Sequence, residues 1–359
     1  MTTTGISRRA LIGLTGAALA AAAAGPALAT EAPAEAVFAN GVTVLSSGPA
    51  FGYIAGWAKL LTPYLLDGLP RDVTSSFEAM GGPDGVTVCN AFGARMDPDG
   101  STMMVTPGAA FLAWLEGDSR VKYDPSHWIP ALIGTTRLVL VSTRPITEIV
   151  TRKRAVRLGA MNPIGPELAA MFALDLLGVP VAPVFGQGDT KTLVDGLRHG
   201  RIDVALLSGP KIRDALAAAR AVGAAPLFIL ASATSCDGPA TRDPLLPGIP
   251  TFLEAADALR RPLPDDARFG AYEAATIAAS TCFAAVLPDL VRPGTVASWR
   301  RGAQLAADNL SLAAVATQQE LRFQTGDCAA HLMQRMTGSA GAVAALRATL
   351  LHRFGWHAS

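Results

Sequence analysis

The stretch "VTVLSSGPAFGYIAGWAKLLTPYLL", Val42 to Leu66, decides the fold. Val42 to Ser46 is an apolar, β-branched run of the kind that makes a buried strand. Small residues follow from Ser46 to Gly52, then Tyr53. From Ile54 to Leu66 the apolar residues recur at helical spacing, which predicts a helix that Pro63 interrupts near its end. Strand, loop and helix N-terminus in this order form one β-α unit. A helix N-terminus carries unpaired N–H groups and partial positive charge, so such a loop can hold an anion, and some hold a nucleophile.

The same pattern repeats outward from this unit. Asp72 to Met80 alternates like a strand, Gly81 to Gly85 is a turn, and Val86 to Arg95 is a short helix. Pro98 to Gly100 turns into the strand "STMMVT", and Pro107 opens a helix that Gly117 closes. Strands are predicted again at Leu138–Thr143, Val156–Met161, "VPVAPVF", Ile202–Ser208 and Ala225–Ser232, with helices at "ELAAMFALDLLG" and "KTLVDGLRHG" between them. Strands alternating with helices imply parallel sheets, and the fold class is α/β with two doubly wound α/β domains. Asp243 to Thr251 reads as a loop leading back, and helices near Val291–Asn309 and Ser339–Arg353 complete the first unit. The expected domains are 36–137 with 255–359, and 138–254.

Residues 1–29 are set apart. Arg8-Arg9, an Ala-rich apolar run and Ala27-Leu28-Ala29 read as an export signal with a small-residue cleavage site, by the twin-arginine or the general secretory route. No later segment is apolar for long enough to span a membrane. The 359 residues are 50% hydrophobic and 16% charged, with a net charge of +1, which gives no electrostatic footprint for nucleic acid. The four cysteines, Cys89, Cys236, Cys282 and Cys328, form no CxxC pair. A Cys282–Cys328 disulfide and four buried thiols are the alternatives.

Enzyme motifs are missing. There is no GxSxG, no P-loop and no GxGxxG opening a helix. Of the five histidines only His352 and His357 are close together, and they have no carboxylate near them, so neither metal nor cofactor is expected and no catalytic residue is assigned. What remains are loops that follow strands and precede helices, where open α/β sheets bind ligands. The candidate ligand-binding residues are Gly48, Pro49, Ala50, Phe51, Gly52 and Tyr53 in the first loop, and Thr106, Pro107 and Gly108 after the "STMMVT" strand. In the second half they are Asn162, Pro163, Ile164 and Gly165, then Gln187, Gly188 and Asp189, and Ser208. Trp57 and Trp114 read as core, and Tyr53 as either a site residue or a core one.

The order of several short motifs resembles a known family. These are "DPDGSTMMVTPGAAFLAW" (Asp97–Trp114), "VKYDPSHWIPALIGTTRLVLVSTRP" (Val121–Pro145) and "VRLGAMNPIGPELAAMFALDLLGVPV" (Val156–Val181). "LVDGLRHGRIDVALLSGP" (Leu193–Pro210) and "LLPGIPTFLEA" (Leu245–Ala255) follow. In sequence and spacing they resemble the TctC or Bug family, the periplasmic substrate-binding proteins of tripartite tricarboxylate transporters. The resemblance runs from about Val42 to Ala256 and more weakly to the end. It implies a type II, Venus-flytrap periplasmic-binding-protein architecture, closing on a small carboxylic acid and delivering it to membrane permease subunits, with the receptor a monomer. A sensor feeding a signalling partner, or a secreted hydrolase, is the alternative.

The family's first loop, usually Pro-Gly-Gly-Gly-Thr-Asp, falls on Gly48 to Tyr53, and its second, usually Gly-Ser-Ser-Pro-His, on Pro163 to Glu167. This chain departs there. Phe51, Gly52 and Tyr53 stand in the first loop, Glu167 replaces a histidine, and Gln187-Gly188-Asp189 replaces a Tyr-Lys-Gly stretch. An added glutamate and a lost lysine make the expected cleft less attractive to a polyanion, and Phe51 and Tyr53 add aromatic walls. These departures speak against the usual dicarboxylate, and an aromatic acid, a less charged ligand and a degenerated receptor are open at this point.

Overall fold

A computed structural model describes residues 37–95, 99–152, 154–162, 165–231 and 242–356. The expected export signal, Pro98, Pro163, Ile164 and Cys236 lie outside the described residues. The first half of the chain supplies β1 (Val42–Ser47), α1 (Tyr53–Leu66), β2 (Ser75–Met80), α2 (Val86–Arg95), β3 (Thr102–Thr106), α3 (Gly108–Glu116) and β4 (Ile129–Thr135). Next come β5 (Leu138–Ser142), α4 (Ile146–Thr151), β6 (Val156–Gly159), α5 (Glu167–Leu176), β7 (Val181–Val184) and α6 (Thr190–Arg198). They are followed by β8 (Val204–Ser208), α7 (Ile212–Arg220), β9 (Ala225–Ala231), α8 (Phe252–Ala258) and α9 (Ala267–Ser280). The chain ends on β10 (Thr281–Leu287), α10 (Pro293–Asp308), α11 (Leu310–Gln318), β11 (Arg322–Thr325), α12 (Gly326–Thr337) and α13 (Ala340–Phe354).

Two sheets result. The first has the order β11-β4-β10-β3-β1-β2 and the second β7-β6-β8-β5-β9. β1, β2 and β3 are parallel, as the β-α alternation requires, and so are β6, β7 and β8. The sheets are nonetheless mixed, which corrects the expectation of purely parallel ones. β10 runs antiparallel between β3 and β4, β11 runs antiparallel to β4, and β5 runs antiparallel to β8 and β9. The chain leaves the first sheet at Thr135 and enters the second at Leu138. It returns through α8 and α9 to place β10 and β11 in the first sheet.

Local chemistry sets the ends of the elements. Gly117 closes α3 in the left-handed region at φ 82, its N–H donating to the Ala113 and Trp114 carbonyls. Asp189 and Thr192 form a capping box that opens α6, and Thr251 and Glu254 form another that opens α8. Pro63 does not end α1. It lies on the exposed face of the helix, where the carbonyl it leaves unpaired meets water. Prolines inside strands sit where no ladder N–H is needed: Pro183 in β7 and Pro226 in β9 are on edge strands, and Pro130 lies at a register shift of β4 against β10.

The interior is continuous from one sheet's helical layer to the other's. Helix α9 packs on α3 and α13 beside the first sheet and on α5 beside the second. Trp57 is buried and stacks on Phe283 at 5.1 Å, and Trp299 donates from its ring N–H to the Gly100 carbonyl at 2.8 Å. Trp114 packs at the edge of the core. Tyr53 is 46% exposed, with its hydroxyl turned inward toward Cys282, so it lies between the loop surface and the core. Helices α1 and α10 meet backbone to backbone, since a Cβ on Gly302 would collide with the Leu65 carbonyl. Cys282 is a free thiol, as is Cys89, so no Cys282–Cys328 bridge forms. Cys328 is itself disulfide-bonded.

Candidate ligand-binding site

Strand direction and register locate the candidate site. β1, β3 and β4 all run one way in the first sheet, because β3 and β4 both pair antiparallel with β10. Their carboxyl ends therefore share one edge. β4 passes from that edge straight into β5, whose first residue, Leu138, pairs with Ser208 at the carboxyl end of β8. The carboxyl ends of both sheets thus meet at the crossover, the position where open α/β sheets take ligands.

Polar groups pin this crossover. Thr136 donates from its N–H to the Ser280 carbonyl at 2.8 Å and from its hydroxyl to the Gly209 carbonyl at 3.0 Å. The Arg137 Nε lies 2.9 Å from the Asp243 carboxylate, both side chains fully or nearly fully buried, and its other nitrogen donates to the Glu320 carbonyl at 2.6 Å. The Glu320 carboxylate accepts from Arg213 at the start of α7. None of these four charged residues stood out in the sequence. They are separated by up to 183 positions (Arg137 to Glu320), and no local spacing marks them.

On the first sheet, the loop after β1 takes a tight turn. Gly48 has φ 81 and donates to the Met80 carbonyl, and Gly52 donates to the Pro49 carbonyl at 2.7 Å before capping α1. Pro49 and Ala50 are exposed, and Phe51 is 98% exposed. Lys59 reaches back over this loop, donating to the Ala50 carbonyl at 2.8 Å with its ammonium 5.3 Å from the Phe51 ring centre and 4.8 Å from that of Phe77. The Tyr53 hydroxyl meets the Cys282 thiol, and burial pushes both groups up to about 12. Thr106 is buried, its hydroxyl 3.2 Å from the Cys89 sulfur, and Pro107 caps α3. A Cβ on Gly85 would lie 2.7 Å from the Thr106 hydroxyl, so the loops after β2 and β3 are in contact. Gly108 serves packing: a Cβ there would collide with the Ala278 carbonyl of α9. Ser47, at the end of β1, is buried with an unpartnered hydroxyl.

On the second sheet, the loops after β6 and β7 are joined. Gly186 donates to the Met161 carbonyl at 3.1 Å and Gln187 to the Ala160 carbonyl at 2.9 Å, while Gly188 lies directly against the Met161 side chain. Asn162 is exposed and Gly165 buried. Asp189 turns its carboxylate onto its own helix, accepting from the Thr192 N–H at 2.8 Å, and that backbone bond holds it below the usual carboxylate range. Ser208 is half-buried at the end of β8. Glu167, the first residue of α5, is 4% exposed, and one of its carboxylate oxygens has no partner. Burial pushes its carboxyl up to about 7, against the pull of the backbone N–H groups of Glu167 and Met161.

Thiol chemistry finds no support here. Burial also pushes Cys89 up to about 12, so both free thiols stay protonated near neutral pH. Among the described residues no group of His, Cys, Asp and Glu has the arrangement of a metal site, and no helix is long and apolar enough to cross a membrane.

The architecture is the two-domain α/β fold of the periplasmic binding proteins. Similar solved structures are a TctC solute-binding protein from Polaromonas (TM-score 0.62, 14% identity, covering 86% of this chain and 98% of that one). MatC from Rhodopseudomonas palustris with bound malate is another (TM-score 0.53, 16% identity, 86% and 98% covered). A third is Rpa4515 of R. palustris with adipate (TM-score 0.52, 17% identity, 86% and 97% covered). At these identities the likeness is one of fold, and the fold is that of the TctC-type solute-binding proteins. No family model and no curated protein matches the sequence.

Proposed function

We propose that this chain is an extracytoplasmic receptor of the TctC type. It captures a small carboxylic acid between its two sheets and delivers it to the permease of a tripartite tricarboxylate-type transporter. The observation that carries this reading is the meeting of the two sheets' strand ends at the Thr135–Leu138 crossover, with the N-termini of α1 and α3 at the first sheet's edge. Both helices begin without a side-chain cap, so no side chain of the protein occupies the N–H groups at their starts. The fold likeness to receptors with malate and adipate supports the same reading.

In this account residues 36–137 and 255–359 form one lobe and 138–254 the other. The lobes close about the crossover strands, a hinge motion that forms and breaks no covalent bond. Residues 1–29 direct export to the periplasm, where the receptor acts as a monomer. A thermal-shift screen with mono-, di- and aromatic carboxylates tests the reading. A ligand at a hundredfold excess over its dissociation constant stabilises the protein by about 2.7 kcal/mol. Silence across the panel overturns it.

A further inference from the structure

The two sheets are joined differently on their two sides. On one side a single core runs from the first sheet to the second, through α9 packed on α3, α13 and α5. On the other side each sheet has a core of its own. Trp57 of α1, Trp299 of α10 and Leu312 of α11 belong to the first sheet's core. Leu193 of α6 and Ile212 and Leu216 of α7 belong to the second's. A continuous apolar core resists separation, so a rotation about the Thr135–Leu138 crossover pivots on the α9 side and parts the two separate cores on the other.

Glu320 bridges that second side. It lies between α11 and β11 of the first sheet, and its carboxylate accepts from the Arg213 backbone N–H at 3.3 Å and from the Arg213 Nε at 2.5 Å. Arg213 is the second residue of α7, a helix whose own N-cap residue, Lys211, supplies no side-chain cap. The acceptor that this N-terminus lacks thus comes from the other sheet's half of the molecule. The Glu320 side chain is buried, so its charge has to be met within the protein. Its backbone sits in the left-handed region at φ 53, a conformation uncommon for a residue with a side chain and kept where the surroundings fix it. The carbonyl is one fixing point, accepting from the buried Arg137 at 2.6 Å, and the carboxylate on α7 is the other.

We propose that Glu320 is a clasp between the two lobes. Opening on the α7 side draws its carboxylate off the α7 N-terminus and Arg213, and the strength of this contact sets how far the ligand-free protein opens. The clasp rests on the two-lobe division proposed above and on no ligand, so a carboxylate screen that fails leaves it standing.

Small-angle X-ray scattering of the ligand-free protein tests it, with circular dichroism to establish that each variant is folded. Glu320→Gly removes the carboxylate, keeps the carbonyl that Arg137 uses and suits the left-handed backbone. Arg213→Ala removes the guanidinium from the other lobe. Each is expected to enlarge the radius of gyration, and the double variant to enlarge it no further than the single ones, because both remove the same contact. A folded variant of either kind with the radius of wild type overturns the proposal, as does a double variant in which the two increases add. Should Glu320→Gly fail to fold, Arg213→Ala alone decides, by the same comparison with wild type.

Discussion

Replacing Glu167 by glutamine has a calculable effect on stability. Burial raises its carboxyl from the usual 4.5 to about 7, and the side chain is 4% exposed, so little solvent screens the effect. At about 1.4 kcal/mol per pH unit, ionising Glu167 in the folded protein costs about 3 kcal/mol. Below pH 4.5 the carboxyl is neutral in both folded and unfolded chains, and no penalty exists. As pH rises from there, the unfolded chain releases the proton while the folded one holds it, so stability falls. The loss is complete above about pH 7. Glutamine is neutral throughout and nearly isosteric. Glu167→Gln is therefore expected to stabilise the protein by about 3 kcal/mol at pH 8 and to leave it unchanged at pH 4. Urea unfolding of both proteins at the two pH values measures this, and comparing variant with wild type cancels other raised groups such as Glu116. A stability difference equal at both pH values would refute the reasoning, as would a glutamine variant less stable at pH 8.

Three further outcomes are expected. Gly52→Asp supplies α1 with the carboxylate cap it lacks, its Cβ tight against the Pro49 carbonyl at 3.0 Å, so acid binding should be lost in calorimetry while the protein still unfolds cooperatively; unchanged affinity would remove this loop from the site. Arg137→Met leaves the fully buried Asp243 carboxylate uncompensated and should cost about 3–5 kcal/mol in urea unfolding, a loss below about 1 kcal/mol contradicting the role given to the pair. Gly108→Ala drives a methyl into the Ala278 carbonyl and should cost about 3 kcal/mol; a melting temperature equal to wild type would show that α3 and α9 can part at no cost.

The β-α alternation was legible because each unit is local: β1 and α1, β3 and α3, β8 with its preceding helix are set by periodicity and by turn residues within a few positions. Among the strands with antiparallel partners, β5 was legible as a local run, while β4, β10 and β11 were not. β10 pairs with strands far upstream, so nothing around Thr281–Leu287 announces its neighbours, and Pro130 disguises β4. The resemblance motifs turn out to be structural pins. Asp203 accepts from the Arg157 backbone N–H at 3.0 Å and from its guanidinium, joining β6 to the start of β8. Glu254 completes the capping box of α8, and the Tyr123 hydroxyl donates to the Ala110 carbonyl inside α3. Of the candidate site, the sequence marked the loops, since Gly, Pro and small residues at strand ends are visible in it. It marked Glu167 only as a departure from a family pattern. That this carboxyl folds inward, and that Asp189 is spent on capping its own helix, depends on rotamers and burial that spacing does not encode.

A crystal structure of the protein with hexanoate tests the central claim most directly. The ligand carboxylate is expected at the crossover between the sheets, at the N-termini of α1 and α3. A ligand bound away from the crossover between the sheets would contradict it.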